Sequence, residues 1–227
     1  MNESLLSGDG EQVVDLVFRV IGESVAIDHG YLLYSALSGL LPEAHGASWL
    51  GIHPLEGKAL GTKSNCTRIL PRALKLRAPA GRIPALLRIS GRTVMVGSTP
   101  LRLGPPTVLA LVPSASLDAR AVHVRLTNAP RSSNPGLGRP SLDIEAMKSA
   151  TLRELDRQLT ALGISNSVQL LGRRTLTVGD QRLVTFSVRV MGLDDEGSLL
   201  LQAQGLGGKR RMGCGIFRPT RELHDPA

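Results

Sequence analysis

The sequence predicts an α+β fold made of two tandem βαββαβ units. Three observations carry that prediction. β-branched strand segments and helices of 3.6-residue period follow one another in the same order twice. A break bearing Pro113, Ser114 and Ser116 separates the two sets. A length of 227 residues with 42% hydrophobic content supplies enough apolar side chains for two small cores. The expected units span residues 1–113 and 117–227.

In the first unit, Val13 to Val20 is a β-branched run suited to a strand. Asp28 then offers an N-cap to a helix whose apolar positions Leu33, Ala36, Leu37, Leu40 and Leu41 recur at helical spacing until Pro42. Trp49 to Leu55 reads as a second strand, Leu74 to Ala78 as a third and Ile83 to Ile89 as a short helix. Thr93 to Val96 with Leu101 to Val112 makes a closing ribbon. In the second unit the strand is Ala121 to Leu126, followed by a Pro-, Gly-, Ser- and Asn-rich loop over 127–140 that cannot bury a core. Ser141 or Asp143 caps a helix carrying Met147, Leu152, Leu155, Leu159 and Leu162, stopped by Gly163. Val168 to Val178 and Leu183 to Val190 form a hairpin around Gly179-Asp180. Ser198 to Gln204 is a short helix, and the last strand begins at Ile216. Both orders are those of a ferredoxin-like, RRM-like unit.

Between that last helix and strand lies Gly205-Leu-Gly-Gly-Lys-Arg-Arg-Met-Gly-Cys-Gly-Ile-Phe217. Gly205, Gly207, Gly208, Gly213 and Gly215 surround Lys209, Arg210 and Arg211. Residues without Cβ let main-chain N–H groups approach an anion, and the cations add charge and forked donors, so the loop suits a phosphate backbone. Its spacing fits neither the Walker A pattern nor a dinucleotide Gly-x-Gly-x-x-Gly fingerprint, which disfavours a mononucleotide. The alternative is a glycine-rich turn with solvated charges.

Charge points to a polyanion. The chain carries +8 overall, yet residues 1–47 have one cation against seven acids whereas residues 48–141 have fourteen against two. With no long apolar run and an N-terminal Met-Asn-Glu-Ser unlike a signal peptide, a membrane is the least fitting partner, and a cytoplasmic location is expected. Cys66 and Cys214 lie far apart with no metal-ligand spacing around them, so neither a disulfide framework nor a metal site is expected. Cys214 reads as a small residue in a tight turn.

Two such units with a Gly-x-Gly, five residues, then Gly-x-Gly after the final helix resemble the CRISPR repeat-processing endoribonucleases, the sixth Cas protein family. The phrase Asp28-His-Gly-Tyr-Leu-Leu-Tyr34 and the glycine loop further resemble the Myxococcus-type branch. The resemblance implies a nuclease that needs no metal or other cofactor and cuts precursor CRISPR RNA within each repeat, beside a short hairpin. It also implies retention in an interference complex with other Cas subunits. A non-cleaving RNA-binding subunit of the same fold is the alternative, and a structural RNA-binding protein a third.

RNA is cut without metal when the 2′-OH is deprotonated, the phosphorane charge is stabilised and the 5′-oxygen is protonated, leaving a 2′,3′-cyclic phosphate. Histidine suits the proton transfers. His29, at the helix start and where several relatives carry their catalytic histidine, is the first candidate, and His45, in the following loop, the second. Tyr31 is the favoured partner, as a phenol close to His29 in sequence, while Tyr34 is at helical spacing for packing with Leu37. His53 reads as structural, His123 as an outward strand residue, and His224 as part of a tail. No Lys lies near either histidine in sequence; Lys58 and Lys63 lack positional support. With aromatic content of only 3%, RNA must be held by charge and shape rather than by stacking. Arg173 and Arg174 near the hairpin turn, and Arg153 with Arg157 on the long helix, are candidates for phosphates or for a solvated face, and Arg131 and Arg139 lie in the 127–140 loop.

Overall fold

The computed structural model describes residues 6–7, 11–61, 67–126 and 144–220. The first unit contains β1 (Leu6–Ser7), β2 (Glu11–Gly22), β3 (Val25–Ala26), α1 (Gly30–Leu40), β4 (Gly51–Ile52), β5 (Glu56–Leu60), β6 (Arg68–Pro79), α2 (Ile83–Leu86), β7 (Thr93–Val96) and β8 (Thr99–Ala110). The second contains β9 (Ser116–Val122), α3 (Ile144–Ala161), β10 (Ser167–Val178), β11 (Gln181–Met191), α4 (Asp195–Gln204) and β12 (Phe217–Pro219).

Each unit has its own antiparallel sheet. In the second, the order β10-β11-β9-β12 places the four strands second, third, first, fourth. The long strands of the first repeat that order as β5, β6, β2 and β8, with β7 added at the far edge and short strands β3 and β4 also on β6. Both units are therefore ferredoxin-like, in tandem. Strand alternation sets the cores: Val14, Leu16, Phe18 and Val20 of β2 turn to one face, where Leu33 and Leu37 of α1 cover them. Leu155 and Leu159 of α3 pack on Leu117, Phe186 and Val188 in the same way. Gly163, at φ +74°, ends the long helical segment, and the Asp194 carboxylate caps α4 by accepting from the Gly197 N–H at 2.8 Å.

Three local expectations are corrected. Asp28 does not cap α1; His29 occupies the N-cap position without a side-chain bond, and the Asp28 carboxylate reaches into the second unit to accept from the Thr177 N–H at 2.9 Å. The expected strand over 49–55 shrinks to Gly51–Ile52, because Pro54 has no N–H for the ladder, and pairing with β6 resumes at Glu56. The strand expected over 121–126 begins at Ser116 and ends at Val122: Leu117 and Ala119 point inward while Ser116 and Asp118 alternate with them, so Ser116 belongs to the sheet and Ser114 precedes it. The caps Ser141 and Asp143 and the 127–140 loop lie outside the described residues.

One side chain rivets the units together. Arg77 of β6 is fully buried and grips Asp15 of β2 bidentately, at 2.8 and 2.9 Å. Its remaining nitrogen donates to the carbonyls of Gln202 and Phe217 in the second unit, at 2.9 and 2.6 Å. Burial alone would raise the Asp15 pKa, but the Arg77 hydrogen bonds outweigh it and hold the carboxyl far below its usual range. Beside it His53 is buried with Nε2 3.5 Å from Asp15, and desolvation pushes its pKa down to about 4, so it stands there as neutral imidazole.

Candidate active site and RNA interface

The glycine loop closes on itself and on β9. The glycine N–H groups are all taken by protein acceptors: Gly205 bonds Leu201, Gly207 the Gln158 side chain, Gly208 His123, Gly213 Arg210 and Gly215 Ala121. A Cβ on Gly205 would sit 2.1 Å from the Gly215 carbonyl, and one on Gly215 2.1 Å from that of Leu206. The glycines thus permit backbone-on-backbone packing within the protein, and the expectation that their N–H groups face phosphate is corrected on that ground. Cys214 is buried among them and its thiol is pushed up to about 12 by desolvation, an inert filler.

The three cations of the loop diverge. Lys209, in the left-handed region at φ 67°, is exposed. Arg210 turns inward, donating to the Ala203 carbonyl at 2.7 Å, and burial together with nearby Arg77 lowers its pKa to about 10. It anchors the loop and is not free for RNA, a second correction. Arg211, on the short turn Arg210–Met212, points at α1.

That turn meets α1 closely enough that a Cβ on Gly30 would lie 2.4 Å from the Met212 carbonyl. The contact delivers Arg211 to Tyr34. Its Nη1 donates to the Tyr34 hydroxyl at 3.1 Å, and its Cζ lies 5.2 Å from the ring centroid. On the other side the same hydroxyl lies 3.4 Å from Nδ1 of His45, with the two rings 6.5 Å apart and inclined by 20°. His45 is exposed at the end of the turn Pro42–Ala44, while Tyr34 is 9% exposed, its ring in the core and its hydroxyl partly buried between His45 and Arg211. Arg211 can only donate, so Tyr34 accepts from it and uses its proton or second lone pair on His45, leaving the imidazole Nε2 for another molecule.

His29 is differently placed. It is 1% exposed; its Nε2 accepts from the Leu55 N–H at 2.9 Å, so Nδ1 carries the proton and donates to the Ala26 carbonyl at 2.8 Å. Both nitrogens are spent on joining the start of α1 to its neighbours, and burial lowers the pKa. Tyr31, half-buried one turn before Tyr34, is not the phenol that meets a histidine; Tyr34 is. Sequence reading missed Tyr34 and Arg211 as partners because the contact joins α1 to a loop of the other unit. The one signal in the sequence was the run of three adjacent cations, Lys209 to Arg211, in that loop.

Arg173 and Arg174 are exposed on β10 and line a cavity of about 250 Å³ between the units, with Arg120, Thr175 and Thr185. Arg174 donates to Ser187 at 2.8 Å. The Thr185 hydroxyl, fully buried, has no hydrogen-bond partner. Pro54, Arg120 and Gly213 also line a second cavity of about 180 Å³ that adds Arg218, so the two form one arginine-lined cleft. Arg157, by contrast, is paired with Glu154 at 2.6 Å on α3, a solvated ion pair. His123 is half-buried, its pKa lowered by burial, and its backbone pairs with Gly208. Lys63, Cys66, Arg131, Arg139 and His224 lie outside the described residues.

The profile described as Cas6 CRISPR matches residues 14–222. The CRISPR-associated endonuclease Cas6 of Myxococcus xanthus (strain DK1622) is 34% identical over 209 residues, covering 91% of this chain and 81% of the relative. Among solved structures, a RAMP protein binding different RNA substrates superposes with a TM-score of 0.63 at 12% identity, over 92% of this chain and 100% of that one. A CRISPR-associated Cas6 protein gives 0.61 at 12% identity over 93% and 100%. A Cas6 product complex gives 0.54 at 19% identity over 92% and 99%. No described helix is long and apolar enough to cross a membrane. With the profile spanning most of its length and a curated relative above one-third identity, the chain belongs to the Cas6 family.

Proposed function

We propose that this protein is an endoribonuclease that cuts precursor CRISPR RNA within the repeat, without metal, at the site formed by His45, Tyr34 and Arg211. The observation that carries the reading is the Tyr34 hydroxyl held between the exposed His45 imidazole at 3.4 Å and the Arg211 guanidinium at 3.1 Å. The His45 imidazole supplies a nitrogen able to take or give the 2′-OH or 5′-oxygen proton; the guanidinium supplies the positive charge that the phosphorane needs. Tyr34 fixes both. Together they account for the proton and charge demands of 2′-OH attack, which yields a 2′,3′-cyclic phosphate and a 5′-OH end. The 3.4 Å separation is the loose spacing usual before substrate draws such groups together.

Repeat RNA is proposed to run from this site into the arginine-lined cleft, where Arg173, Arg174 and Arg120 meet phosphates, with Lys209 at the loop's outer face. Association with other Cas subunits and a cytoplasmic location belong to the same proposal. The test is to incubate the chain with end-labelled repeat RNA in EDTA and to map the ends. Cleavage in EDTA that is abolished by a 2′-deoxy nucleotide 5′ to the scissile phosphate supports it. Magnesium-dependent cleavage that tolerates the deoxy nucleotide overturns it.

A further inference from the structure

His45 stands on irregular backbone. Its turn, Pro42–Ala44, is closed by main-chain bonds from the Ala44 N–H to Leu41 at 2.8 Å and from the His45 N–H to Pro42 at 3.0 Å, and Gly46 follows at φ +80° with open space beside it. Ala44, Ala47 and Leu50 are buried and fasten the segment to the core, while His45, Gly46 and Ser48 between them are exposed. Apolar contacts are non-directional, so they hold the segment down without aiming it. Two further side chains of the segment are met from one neighbouring stretch. Glu43, inside the turn and two residues before His45, is ion-paired with Arg88, and Trp49, four residues after His45, lies under Arg82, whose Cζ is 5.2 Å from a ring centroid. Both arginines belong to residues 80–89, the turn Ala80–Arg82, α2 and the turn Leu87–Ile89, which the fully buried Leu86 and Ile89 anchor in the core. Arg88 is itself oriented, because its Nε donates to the Ala85 carbonyl at 3.2 Å while Nη2 faces Glu43.

We propose that Glu43 and Arg88 are positioning residues for RNA cleavage: their ion pair fixes the turn so that the His45 imidazole faces the Tyr34 hydroxyl, and Arg82 on Trp49 steadies the far end of the segment. The proposal rests on His45 being the proton-transfer group. Exposure decides what the pair contributes. The Arg88 and Glu43 side chains are 61% and 33% exposed, and an ion pair so open to water adds little to global stability. Its effect on geometry is larger, because a displacement of about 1 Å at a reacting group costs up to about 100-fold in rate. Arg82 and Arg88 thus take two of the fourteen cations of residues 48–141 for holding the protein rather than RNA.

Single-turnover cleavage of repeat RNA, RNA affinity and melting temperature of Glu43→Gln, Arg88→Ala and the double variant test the pair. The two single substitutions change the charge in opposite directions, so a field acting on RNA moves affinity up in one and down in the other. Positioning slows both alike, by roughly tenfold, with affinity, its salt dependence and the melting temperature close to wild type. The double variant is no slower than either single one, as coupled partners require. Arg88→Lys, which keeps an ion pair, recovers part of the rate. Opposite shifts in affinity, losses that multiply in the double variant, a rate loss that tracks a fall in melting temperature, or wild-type rates throughout overturn the proposal. His45→Ala, measured alongside, tells the two failures apart. If that variant cuts normally, the nuclease site falls together with the pair; if it is dead while Glu43→Gln and Arg88→Ala cut at the wild-type rate, only the pair falls.

Discussion

Arg211 and Tyr34 stand 177 positions apart in the chain, yet the Arg211 guanidinium donates to the Tyr34 hydroxyl at 3.1 Å. One residue comes from each unit, so the site exists only where the units meet. Replacing Arg211 with Ala is expected to slow single-turnover cleavage by about 100- to 1,000-fold, the scale of a lost transition-state donor. Arg211→Lys keeps the charge but loses the fork and recovers part of the rate. Equal rates for Ala and wild type remove Arg211 from the chemistry.

His45→Ala should lower the cleavage rate by roughly 100- to 10,000-fold with RNA affinity little changed. His29→Ala should act on stability, because it leaves the buried Leu55 N–H without its acceptor, at a cost of about 1–3 kcal/mol. Urea titration and single-turnover kinetics on both variants separate the two roles; a dead but fully stable His29→Ala enzyme reverses the assignment.

Removing Arg173 and Arg174 together is expected to weaken RNA binding and to flatten its salt dependence, by about 1.4 to 1.8 in the slope of log K against log salt if each meets one phosphate. Arg210→Met, in contrast, should leave that slope alone while lowering the melting temperature, since its guanidinium serves the Ala203 carbonyl. Fluorescence anisotropy at several salt concentrations reads both.

Acid should destabilise the fold well before the carboxylates titrate. His53 is held to about 4 in the folded chain against 6.5 for an unhindered histidine, so between those values the unfolded chain takes up a proton that the folded one refuses. Stability is therefore full above pH 6.5 and falls as pH drops toward 4, at most about 1.4 kcal/mol per pH unit from this group. His29, also depressed by burial, acts in the same direction, and Asp15 adds its loss only at still lower pH. Urea midpoints at pH 7 and pH 5 should converge in His53→Gln; a gap as wide as in the wild type would assign the effect elsewhere.

Gly39 and Gly205 make a matched pair. A Cβ at Gly39 in α1 meets nothing within 4 Å, so Gly39→Ala should stabilise by about 0.5–1 kcal/mol through helix propensity. At Gly205 the same methyl would lie 2.1 Å from a carbonyl at φ +69°, so Gly205→Ala should lower the melting temperature sharply. Thermal melts of the two variants should move in opposite directions.

The repeated element order was readable because the long elements announce their own period: β2 and β11 are rich in β-branched residues, from Val13 to Ile21 and from Val184 to Val190, and Leu155 and Leu159 keep helical spacing. Local rules failed where a side chain answered to a distant partner. Asp28 has the form of a cap, yet its carboxylate serves Thr177 in the other unit. His29 matches a loop histidine by position, but burial consumes both nitrogens. Tyr34 sits on the core face by spacing, as read, and its oxygen still meets His45 and Arg211, partners that the helix's own spacing does not reveal. The glycine loop was correctly seen as special in composition, whereas its purpose in threading onto β9 depends on the carbonyls of Ala121 and His123, which no pattern in the loop itself encodes.

A single planar ion, Arg77, holds the carbonyls of Gln202 and Phe217, which stand just before and just after the glycine loop. The two feet of that loop are thus spaced by a side chain belonging to the other half of the molecule, and the reach of Arg211 toward Tyr34 is inherited from the first sheet. Transplanting the second unit onto a foreign first unit would carry over every residue of the loop and still lose its aim, unless the host strands also offered an arginine and an aspartate in the register of Arg77 and Asp15.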